Sequence, residues 1–364
     1  MAELSDLTAA CIRCGFCLEA CPTFVLSGDE ALSPRGRIQL AKEGVFLEGV
    51  EAFDSCLGCL ACETACPSGV QYGAILEESR SRLEAKRPRA GLKGLLAMVT
   101  RPTLLRAAIT LGGLLPGRRL PERASHWIGC TGQALVPAAP AHSGWPPYDG
   151  PEGWEPVPVL RGCAMDVMFP HVHEATERLL RRVGFQAVWS RGCCGALHSH
   201  AGYADQGGAM ALRHPAGVLT NSAGCGSHLH GSKDVCSFLI RQGLARLLAS
   251  APPYGVRVAY MDACHLAHGQ GVRSAPRKLL AAVPGLELVE LDDPHCCGSA
   301  GLFSMLRPET AGALLERKWA SFLRSGAEVL LVGNPGCLSW LAGRAHGTRF
   351  RVAHTLEVLE EVLT

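Results

Sequence analysis

Two cysteine runs of identical spacing open the chain, and this repeat constrains the fold more than any other feature of the sequence. Each run follows the order Cys-x2-Cys-x2-Cys-x3-Cys-Pro. The runs consist of Cys11, Cys14, Cys17, Cys21 and Pro22, and of Cys56, Cys59, Cys62, Cys66 and Pro67. Thiols this close together in the sequence predict that the first segment folds around whatever those thiols bind.

The spacing within each run is typical of the [4Fe–4S] ligands of bacterial ferredoxins. Three cysteines at equal steps reach three irons of one cluster, and the displaced fourth cysteine ligates the neighbouring cluster. We therefore predict two [4Fe–4S] clusters with crossed ligand sets. The sets are Cys11, Cys14, Cys17 and Cys66 for the first cluster, and Cys56, Cys59, Cys62 and Cys21 for the second. A pair of zinc sites is the alternative, but zinc needs neither the third equally spaced cysteine nor the trailing Cys-Pro.

Composition excludes several classes of function. The chain has 364 residues, 18 cysteines and a formal net charge of +2. It lacks the basic stripe of a nucleic-acid reader, so we expect no nucleic-acid partner. The N-terminus lacks the basic start and apolar run of a secretory signal, which predicts the reducing cytoplasm, where clustered cysteines bind metal more often than they form disulfides.

The sequence divides into four regions. Residues 1–90 form the ferredoxin-type domain, in which a helical pattern over Arg37–Leu47 favours a helical version of that domain over a β-hairpin version. Residues 91–155 form a connector, helical at first and rich in Pro and Gly later. Its apolar part, 91–117, contains no uncharged run long enough to span a bilayer. We expect it to be a linking helix packed on the protein itself, with a membrane surface or a partner as the alternative.

The last two regions, 156–255 and 256–364, alternate strand-like and helix-like patterns, which predicts an α/β fold with a largely parallel sheet. The overall expectation is an α+β chain, with a helical two-cluster ferredoxin domain followed by a duplicated α/β cysteine-rich domain. Predicted strands are Val157–Leu160, Gln186–Trp189, Val256–Met261, Leu286–Leu291, Val329–Val332 and Arg349–Val352. Predicted helices are Val172–Val183, Ser227–Leu248, Pro308–Leu323 and Leu356–Leu363.

The duplication is visible in a cysteine pattern that occurs twice in the same order, a single Cys, then Cys-Cys-Gly, then a last Cys. The residues are Cys163, Cys193, Cys194 and Cys225 in the first unit, and Cys264, Cys296, Cys297 and Cys337 in the second. A glycine after Cys-Cys allows a turn sharp enough for both sulfurs to meet one site, or to reach different irons of a cluster. We favour an additional iron–sulfur cluster, with a structural zinc or unmetallated structural or redox thiols as alternatives.

With these motifs the chain resembles the iron–sulfur subunit of glycolate oxidase. It is related more distantly to the iron–sulfur subunit of anaerobic glycerol-3-phosphate dehydrogenase and to the CCG subunit of heterodisulfide reductase. The strings that carry the resemblance are Gly28-Asp29-Glu30, Ser33-Pro34-Arg35-Gly36-Arg37-Ile38, Cys66-Pro67-Ser68-Gly69-Val70, Cys193-Cys194-Gly195-Ala196-Leu197, Asp262-Ala263-Cys264-His265-Leu266-Ala267-His268, Cys296-Cys297-Gly298-Ser299-Ala300-Gly301 and Gly333-Asn334-Pro335-Gly336-Cys337.

The resemblance implies an electron-transfer subunit without flavin in a glycolate oxidase complex. Flavin-containing partner subunits would oxidise glycolate to glyoxylate, and this chain would pass the electrons towards the quinone pool, with peripheral contact at the cytoplasmic face of the inner membrane. We find no dinucleotide-binding glycine fingerprint, so we assign no catalytic residue to this chain. The alternatives are an iron–sulfur subunit of another flavin dehydrogenase, for glycerol-3-phosphate or lactate, and a catalytic heterodisulfide-reductase-like subunit.

One departure weakens the last alternative. In heterodisulfide reductase a further cysteine follows the last cysteine of each unit, whereas this chain has His228 and Trp340 at those positions. Trp340 cannot ligate iron, and His228 is expected to be a surface or capping residue.

Several other residues have two interpretations each. For His265 and His268 we favour hydrogen bonding near the Cys264 thiolate over proton handling or quinone contact. Arg35 and Arg37 are interpreted as an exposed basic pair or as a site for a carboxylate or a partner subunit. Cys130, Cys236, Met165, Met168 and Phe169 are expected to be ordinary core or semi-buried residues.

Overall fold

The structure is a computed structural model, which describes residues 3–113 and 154–364. The Pro- and Gly-rich half of the connector and Cys130 lie outside the described residues. Within the described part, no helix is long and apolar enough to cross a membrane.

All regular elements described in residues 3–113 are helical, which confirms the expected helical ferredoxin domain. The α-helices are α1 Leu4–Ala9, α2 Pro22–Ser27, α3 Pro34–Lys42, α4 Val50–Asp54, α5 Ala61–Thr64, α6 Tyr72–Lys86, α7 Leu92–Thr100 and α8 Pro102–Gly113, with a 3₁₀ turn at Glu30–Leu32. Helix α3 begins earlier than predicted because the Ser33 hydroxyl accepts a hydrogen bond from the Gly36 amide and Pro34 occupies the first turn. It ends before Gly44, whose φ is +72°.

The core of this domain lies between α1, α3, α4 and α6. Leu4, Ile38, Phe53 and Ile75 are buried there together, and several cysteines of the two runs pack against the same cluster. The cysteine loops are therefore held by a small helical core rather than by strands.

The helices of the connector pack on the protein itself, as expected. Leu92, Leu96 and Val99 of α7 are buried against Leu302 of the second cysteine-rich unit, and Leu105 of α8 is fully buried in the large core. Pro102 breaks the predicted single helix into two.

Residues 154–364 form two four-stranded parallel sheets of identical topology. The strands are β1 Glu155–Gly162, β2 Phe185–Arg191, β3 Leu219–Thr220 and β4 Lys233–Asp234, then β5 Arg257–Tyr260, β6 Glu287–Glu290, β7 Val329–Val332 and β8 Arg351–His354. Their orders, β2-β1-β3-β4 and β6-β5-β7-β8, are the same arrangement twice. The expected duplicated α/β architecture with parallel sheets is confirmed.

Helices cover these sheets. They are α9 Ala164–Met168, α10 Pro170–Arg182, α11 Ala196–His200, α12 Ala204–Ala211, α13 Ala223–His228, α14 Val235–Arg241, α15 Leu244–Ala249, α16 Ser274–Ala281, α17 Phe303–Leu306, α18 Pro308–Arg324, α19 Pro335–Ala345 and α20 Thr355–Glu361, with a π-helical turn at His265–Gly269. Most predicted strands and helices lie within one or two residues of these bounds.

The predicted single helix over Ser227–Leu248 is wrong. Helix α13 ends at His228, strand β4 follows, and Asp234 starts α14 by accepting a hydrogen bond from the Ser237 amide. Gly243, with a φ of +85°, then separates α14 from α15. Strand β8 also lies two residues later than the predicted Arg349–Val352.

The two units contact each other through the loops that follow β3 and β7. The Ala223 amide donates to the Gly333 carbonyl oxygen at 3.0 Å, and the Gly224 amide donates to Asn334 Oδ1 at 3.0 Å. These loops lead into Cys225 and Cys337, so the contact brings the cysteine-bearing ends of the two sheets together.

Candidate iron–sulfur site

The cysteines of the two N-terminal runs line two small adjacent cavities. One cavity is lined by Cys11, Cys14, Cys17, Cys62 and Cys66. The other is lined by Cys21, Cys56, Cys59 and Cys62, so that Cys62 lines both. The last cysteine of each run lies with the first three of the other run, because Cys21 and Cys66 stand where the chain enters α2 and leaves α5.

Both runs have the same backbone conformation around their first cysteines. Arg13 and Gly58 occupy the same position in their runs and have φ values of +57° and +63°. Gly15 and Leu60 also correspond, with φ values of +88° and +62°. In the first run Arg13 takes the first left-handed position and glycine the second. In the second run glycine takes the first position and Leu60 the second.

This donor set fits a polynuclear cluster. The sulfurs surround cavities, and thiolate ligands are what iron–sulfur clusters require.

Arg37 is a central part of the second cavity, so its interpretation as an exposed residue or a partner site is wrong. Its side chain is 1% exposed, and its guanidinium donates to the Ala52 carbonyl, to Thr23 Oγ1 at 3.0 Å and to Ser55 Oγ at 3.1 Å. One of its nitrogens lies 3.8 Å from Cys21 Sγ.

Charge and burial act differently on the sulfurs of the second cavity. Burial raises the pKa values of the Cys59 and Cys62 thiols well above the ordinary value of a cysteine thiol. Burial acts in the same direction on Cys56, but the charges of Arg37 and Arg80, together with hydrogen bonds from the Tyr72 hydroxyl and the Gly58 amide, leave the Cys56 pKa lowered.

The eight cysteines of the cysteine-rich units lie after the carboxyl ends of the parallel strands, where open α/β sheets bind ligands. Seven of them line a single cavity of about 380 Å³. These are Cys163, Cys193, Cys194, Cys225, Cys264, Cys296 and Cys337. Cys297 is buried directly behind this wall, where its pKa is affected by hydrogen bonds with Cys296 and Cys337.

The sulfurs pair in the same way in both units. Cys163 Sγ is 3.7 Å from Cys193 Sγ, and Cys194 Sγ is 3.2 Å from Cys225 Sγ. In the second unit, a hydrogen bond with Cys296 and then burial raise the pKa of the corresponding Cys264. The equivalent positions of the repeat therefore make equivalent contacts.

The glycine after each Cys-Cys pair is required by the turn. Gly195 and Gly298 have φ values of +92° and +88°. A Cβ atom would lie 2.2 Å from the Gly207 carbonyl oxygen at the first position and 2.6 Å from that of Ala311 at the second. The predicted reason for this glycine, a sharp turn that presents both sulfurs, is consistent with this geometry.

The second ferredoxin cavity and the large cavity share walls. Cys56 and Cys59 line both, and the charge of Cys264, after burial, raises the pKa of Cys59. His265 Nε2 lies 2.8 Å from the Gly58 carbonyl oxygen, to which it donates. Burial lowers the pKa of His265 to about 4, so the ring is neutral in this contact.

His265 and His268 therefore hold two domains together, which sequence reasoning missed. His268 Nδ1 lies 2.8 Å from Thr64 Oγ1, next to the second run. The expected role, hydrogen bonding near a metal-site thiolate, stays a prediction for both histidines.

The structure also shows where the remaining residues discussed from the sequence lie. His228 is half-buried beside the Gly207 carbonyl oxygen at 3.5 Å, and Trp340 is buried. Cys236 is buried in the core of the sheets, away from the other sulfurs, as expected. Met165 and Met168 are core residues as predicted, although they also line the large cavity.

Comparison with known proteins agrees with this arrangement. Residues 8–70 match the 4Fe-4S dicluster domain, and residues 157–230 and 258–342 each match the cysteine-rich domain. The glycolate oxidase iron–sulfur subunit of Escherichia coli (strain K12) is 32% identical, over 99% of this chain and 95% of that protein. The chain belongs to the glycolate oxidase iron–sulfur subunit family.

Two other relatives are similar to this chain over different shares of its length. The probable glycolate oxidase iron–sulfur subunit of Bacillus subtilis (strain 168) is 32% identical over 90% of this chain and 87% of that protein. Lactate utilization protein A of Exiguobacterium sp. is 29% identical over 55% of this chain and 94% of that protein. Membership of the family makes this chain an iron–sulfur protein of an oxidoreductase system.

Proposed function

We propose that this chain is the electron-relay subunit of a complex that oxidises glycolate, and that its N-terminal runs hold two [4Fe–4S] clusters in crossed ligand sets. The observation that carries the proposal is that Cys66 lines the cavity of Cys11, Cys14 and Cys17, and Cys21 lines that of Cys56, Cys59 and Cys62. Bound clusters of this type carry single electrons.

The route through the chain follows from which sulfurs are neighbours. The first cavity contains Cys14, which is exposed to solvent, whereas the second shares Cys56 and Cys59 with the large cavity of the cysteine-rich units. We infer that electrons enter at the exposed cavity, pass to the buried one and continue to the cysteine-rich units.

The large cavity is the proposed site of a further iron–sulfur cluster. The paired sulfurs and the sharp Cys-Cys-Gly turns support a group with several metal atoms, and zinc or free thiols are the competing outcomes. Metal analysis after anaerobic purification distinguishes them. About eight irons per chain would leave the cysteine-rich units without iron, and about twelve would indicate a third cluster.

Glycolate and a flavin partner are proposed from the family. The relatives that match nearly the whole chain are glycolate oxidase subunits, whereas the lactate utilization relative matches about half of it. We propose the quinone pool as the final electron acceptor.

The test is reduction of the clusters by substrate. The chain is purified anaerobically together with glycolate oxidase flavin subunits, and the cluster signals are followed by EPR after addition of glycolate, lactate or glycerol-3-phosphate. We expect reduction by glycolate, and subsequent reoxidation by a soluble quinone.

Cys59→Ser should abolish transfer beyond the first cluster, whereas the control Cys236→Ser should leave it intact because Cys236 lies in the sheet core. Reduction by lactate alone would overturn the substrate proposal. A colourless chain without iron or acid-labile sulfide would overturn the proposal as a whole.

A further inference from the structure

The second ferredoxin cavity contains a buried cation without an anionic side chain to neutralise it. Arg37 is 1% exposed, and no carboxylate of the described residues lies within 4.0 Å of its guanidinium. Its protein partners are the neutral Ala52 carbonyl and the Thr23 and Ser55 hydroxyls. An arginine keeps its charge in proteins, so the nearest groups able to balance it are the sulfurs of the cavity.

The position of Arg37 is set by the start of α3. Ser33 and Pro34 fix the first turn of that helix, and Arg37 leaves it towards the cavity, one nitrogen lying 3.8 Å from Cys21 Sγ. The hydroxyls of Thr23 and Ser55 hold the guanidinium plane in place. A charge fixed in this way need not reorganise when the charge of the site changes.

A second buried arginine lies on the other side of the same run. Arg80 of α6 donates to the carbonyl oxygens of Phe53 at 2.9 Å, Cys56 at 2.6 Å and His200 at 2.9 Å. These partners are also neutral. Arg37 therefore lines the second cavity, and Arg80 is bonded to the backbone of Cys56, one of the cysteines of that cavity.

The first cavity is different. Two arginines line it, and Arg13 is exposed to solvent. The other, Arg35, is partly exposed and makes a two-pronged ion pair with Glu30, at 2.6 and 3.1 Å. That charge is neutralised by its partner and screened by solvent. The two cavities thus contain equivalent sulfurs in unequal electrostatic surroundings.

This difference bears on how easily each cluster accepts an electron. Reduction adds one negative charge, which is costly in a buried site unless a cation lies nearby. Net charge, hydrogen bonds and exposure set the potentials of such clusters.

We propose that Arg37 raises the reduction potential of the cluster held by Cys21, Cys56, Cys59 and Cys62, so that this buried cluster accepts electrons from its exposed neighbour. The inference rests on the proposed function, in that it requires the two crossed ligand sets. It assigns to Arg37 the task of keeping the electron path open towards the cysteine-rich units.

The test is an EPR-monitored redox titration of the full chain, purified anaerobically, for the wild type and Arg37→Gln. The two signals are assigned with Cys14→Ser, which alters the first cluster only. For Arg37→Gln we expect the ratio of reduced to oxidised second cluster at a fixed potential to fall at least tenfold. For a one-electron couple, a tenfold fall corresponds to a midpoint potential lowered by about 59 mV. Arg37→Lys, which keeps the charge, should restore most of the ratio.

Two further variants keep the test decisive. Arg35→Gln should change the ratio of either cluster by no more than about twofold, because its charge is paired and screened. Ser55→Asp leaves Arg37 in place and puts a carboxylate at the position of a hydroxyl whose oxygen lies 3.1 Å from the guanidinium, so its negative charge should lower the second cluster's ratio as Arg37→Gln does.

Unchanged ratios in an Arg37→Gln protein that holds both clusters would overturn the inference. If Arg37→Gln fails to bind the second cluster, an unchanged ratio in Ser55→Asp overturns it instead. Absence of two EPR-active clusters from the wild type would refute the proposed function itself, so the two failures are distinguishable.

Discussion

The two ferredoxin-type runs have the same spacing and the same pair of left-handed positions, yet they lie in opposite environments. In the first run Ile12 and Phe16 are each 69% exposed, and Cys14 is exposed between them. In the second run Leu57, which corresponds to Ile12, is 8% exposed and packs in the core of the cysteine-rich units. The local sequence determines the conformation of each loop, and the rest of the protein determines how far that loop is buried.

The covering of the second run is specific. His265 donates to the Gly58 carbonyl, Arg80 joins Cys56 to His200, and the wall behind Cys59 is the large sulfur-lined cavity. The first run is contacted by His295, whose Nε2 donates to the Glu19 carbonyl oxygen at 2.9 Å, but Ile12, Cys14 and Phe16 stay exposed. The comparison predicts that access, stability and backbone strain can be perturbed separately in the two runs.

The largest expected difference is in resistance to oxidative loss of iron. On exposure to ferricyanide with a chelator, we expect the first cluster to be lost in an early phase and the second to persist, since Cys14 is exposed and the second cavity is enclosed. Iron release and EPR signals are followed in parallel over time.

Cys14→Ser should remove the early phase, and Cys236→Ser should change neither phase. Loss of iron from both clusters in one phase would mean that the difference in exposure does not control access.

The next effect concerns Arg80, a residue that contacts the second run but not the first. Arg80→Ala removes four hydrogen bonds from a buried cation to three carbonyl oxygens, which should cost about 3 kcal/mol of unfolding free energy. Arg82→Ala on the same helix is the matched control. Its exposed ion pair with Glu78 should contribute about 0.5 kcal/mol or less.

Both variants are compared with the wild type by anaerobic denaturant unfolding, with the second cluster's absorbance as one probe. Equal losses in the two variants would show that Arg80 does not tie the second run to the first cysteine-rich unit.

Whether a feature of the fold or of the candidate site could be predicted from the sequence depends on how far apart in the chain the interacting residues lie. The helical pattern over Arg37–Leu47 predicted the helical ferredoxin domain, the alternation of strand and helix patterns predicted the parallel sheets, and the repeated Cys-Cys-Gly pattern predicted their duplication. All three are local patterns. The contact between His265 and Gly58 joins residues 207 positions apart, and no local pattern encodes it.

The errors have physical causes too. Arg37 suggested an exposed residue because charged side chains are seldom buried, and only the polar residues that surround it in the fold, Thr23 and Ser55, make its burial tolerable. Strands β3 and β4 contain two residues each, too few to show an alternating pattern. The long predicted helix over Ser227–Leu248 overlooked Asp234 as a cap and Gly243 as a break.

The smallest expected effect tests whether the two loops are truly equivalent in backbone strain. At the shared left-handed position, glycine should be favoured over alanine by about 1 kcal/mol in both runs. We therefore expect Gly58→Ala to be less stable than the wild type, and Arg13→Ala to be less stable than Arg13→Gly, by similar amounts. The added Cβ at Gly58 would meet Leu76 at 3.6 Å, an ordinary contact, so packing should not enlarge the effect.

Comparing Arg13→Ala with Arg13→Gly, instead of either with the wild type, cancels the loss of the exposed hydrogen bond to Gln39. Thermal unfolding of the anaerobic proteins measures both pairs. A cost several times larger at Gly58 than at Arg13 would mean that the enclosure of the second run also constrains its backbone. Equal losses of stability at Gly58 and Arg13 would mean that the two runs differ in charge and in solvent access but not in backbone strain. Arg37 determines the difference in charge, and the exposure of Cys14 shows the difference in solvent access.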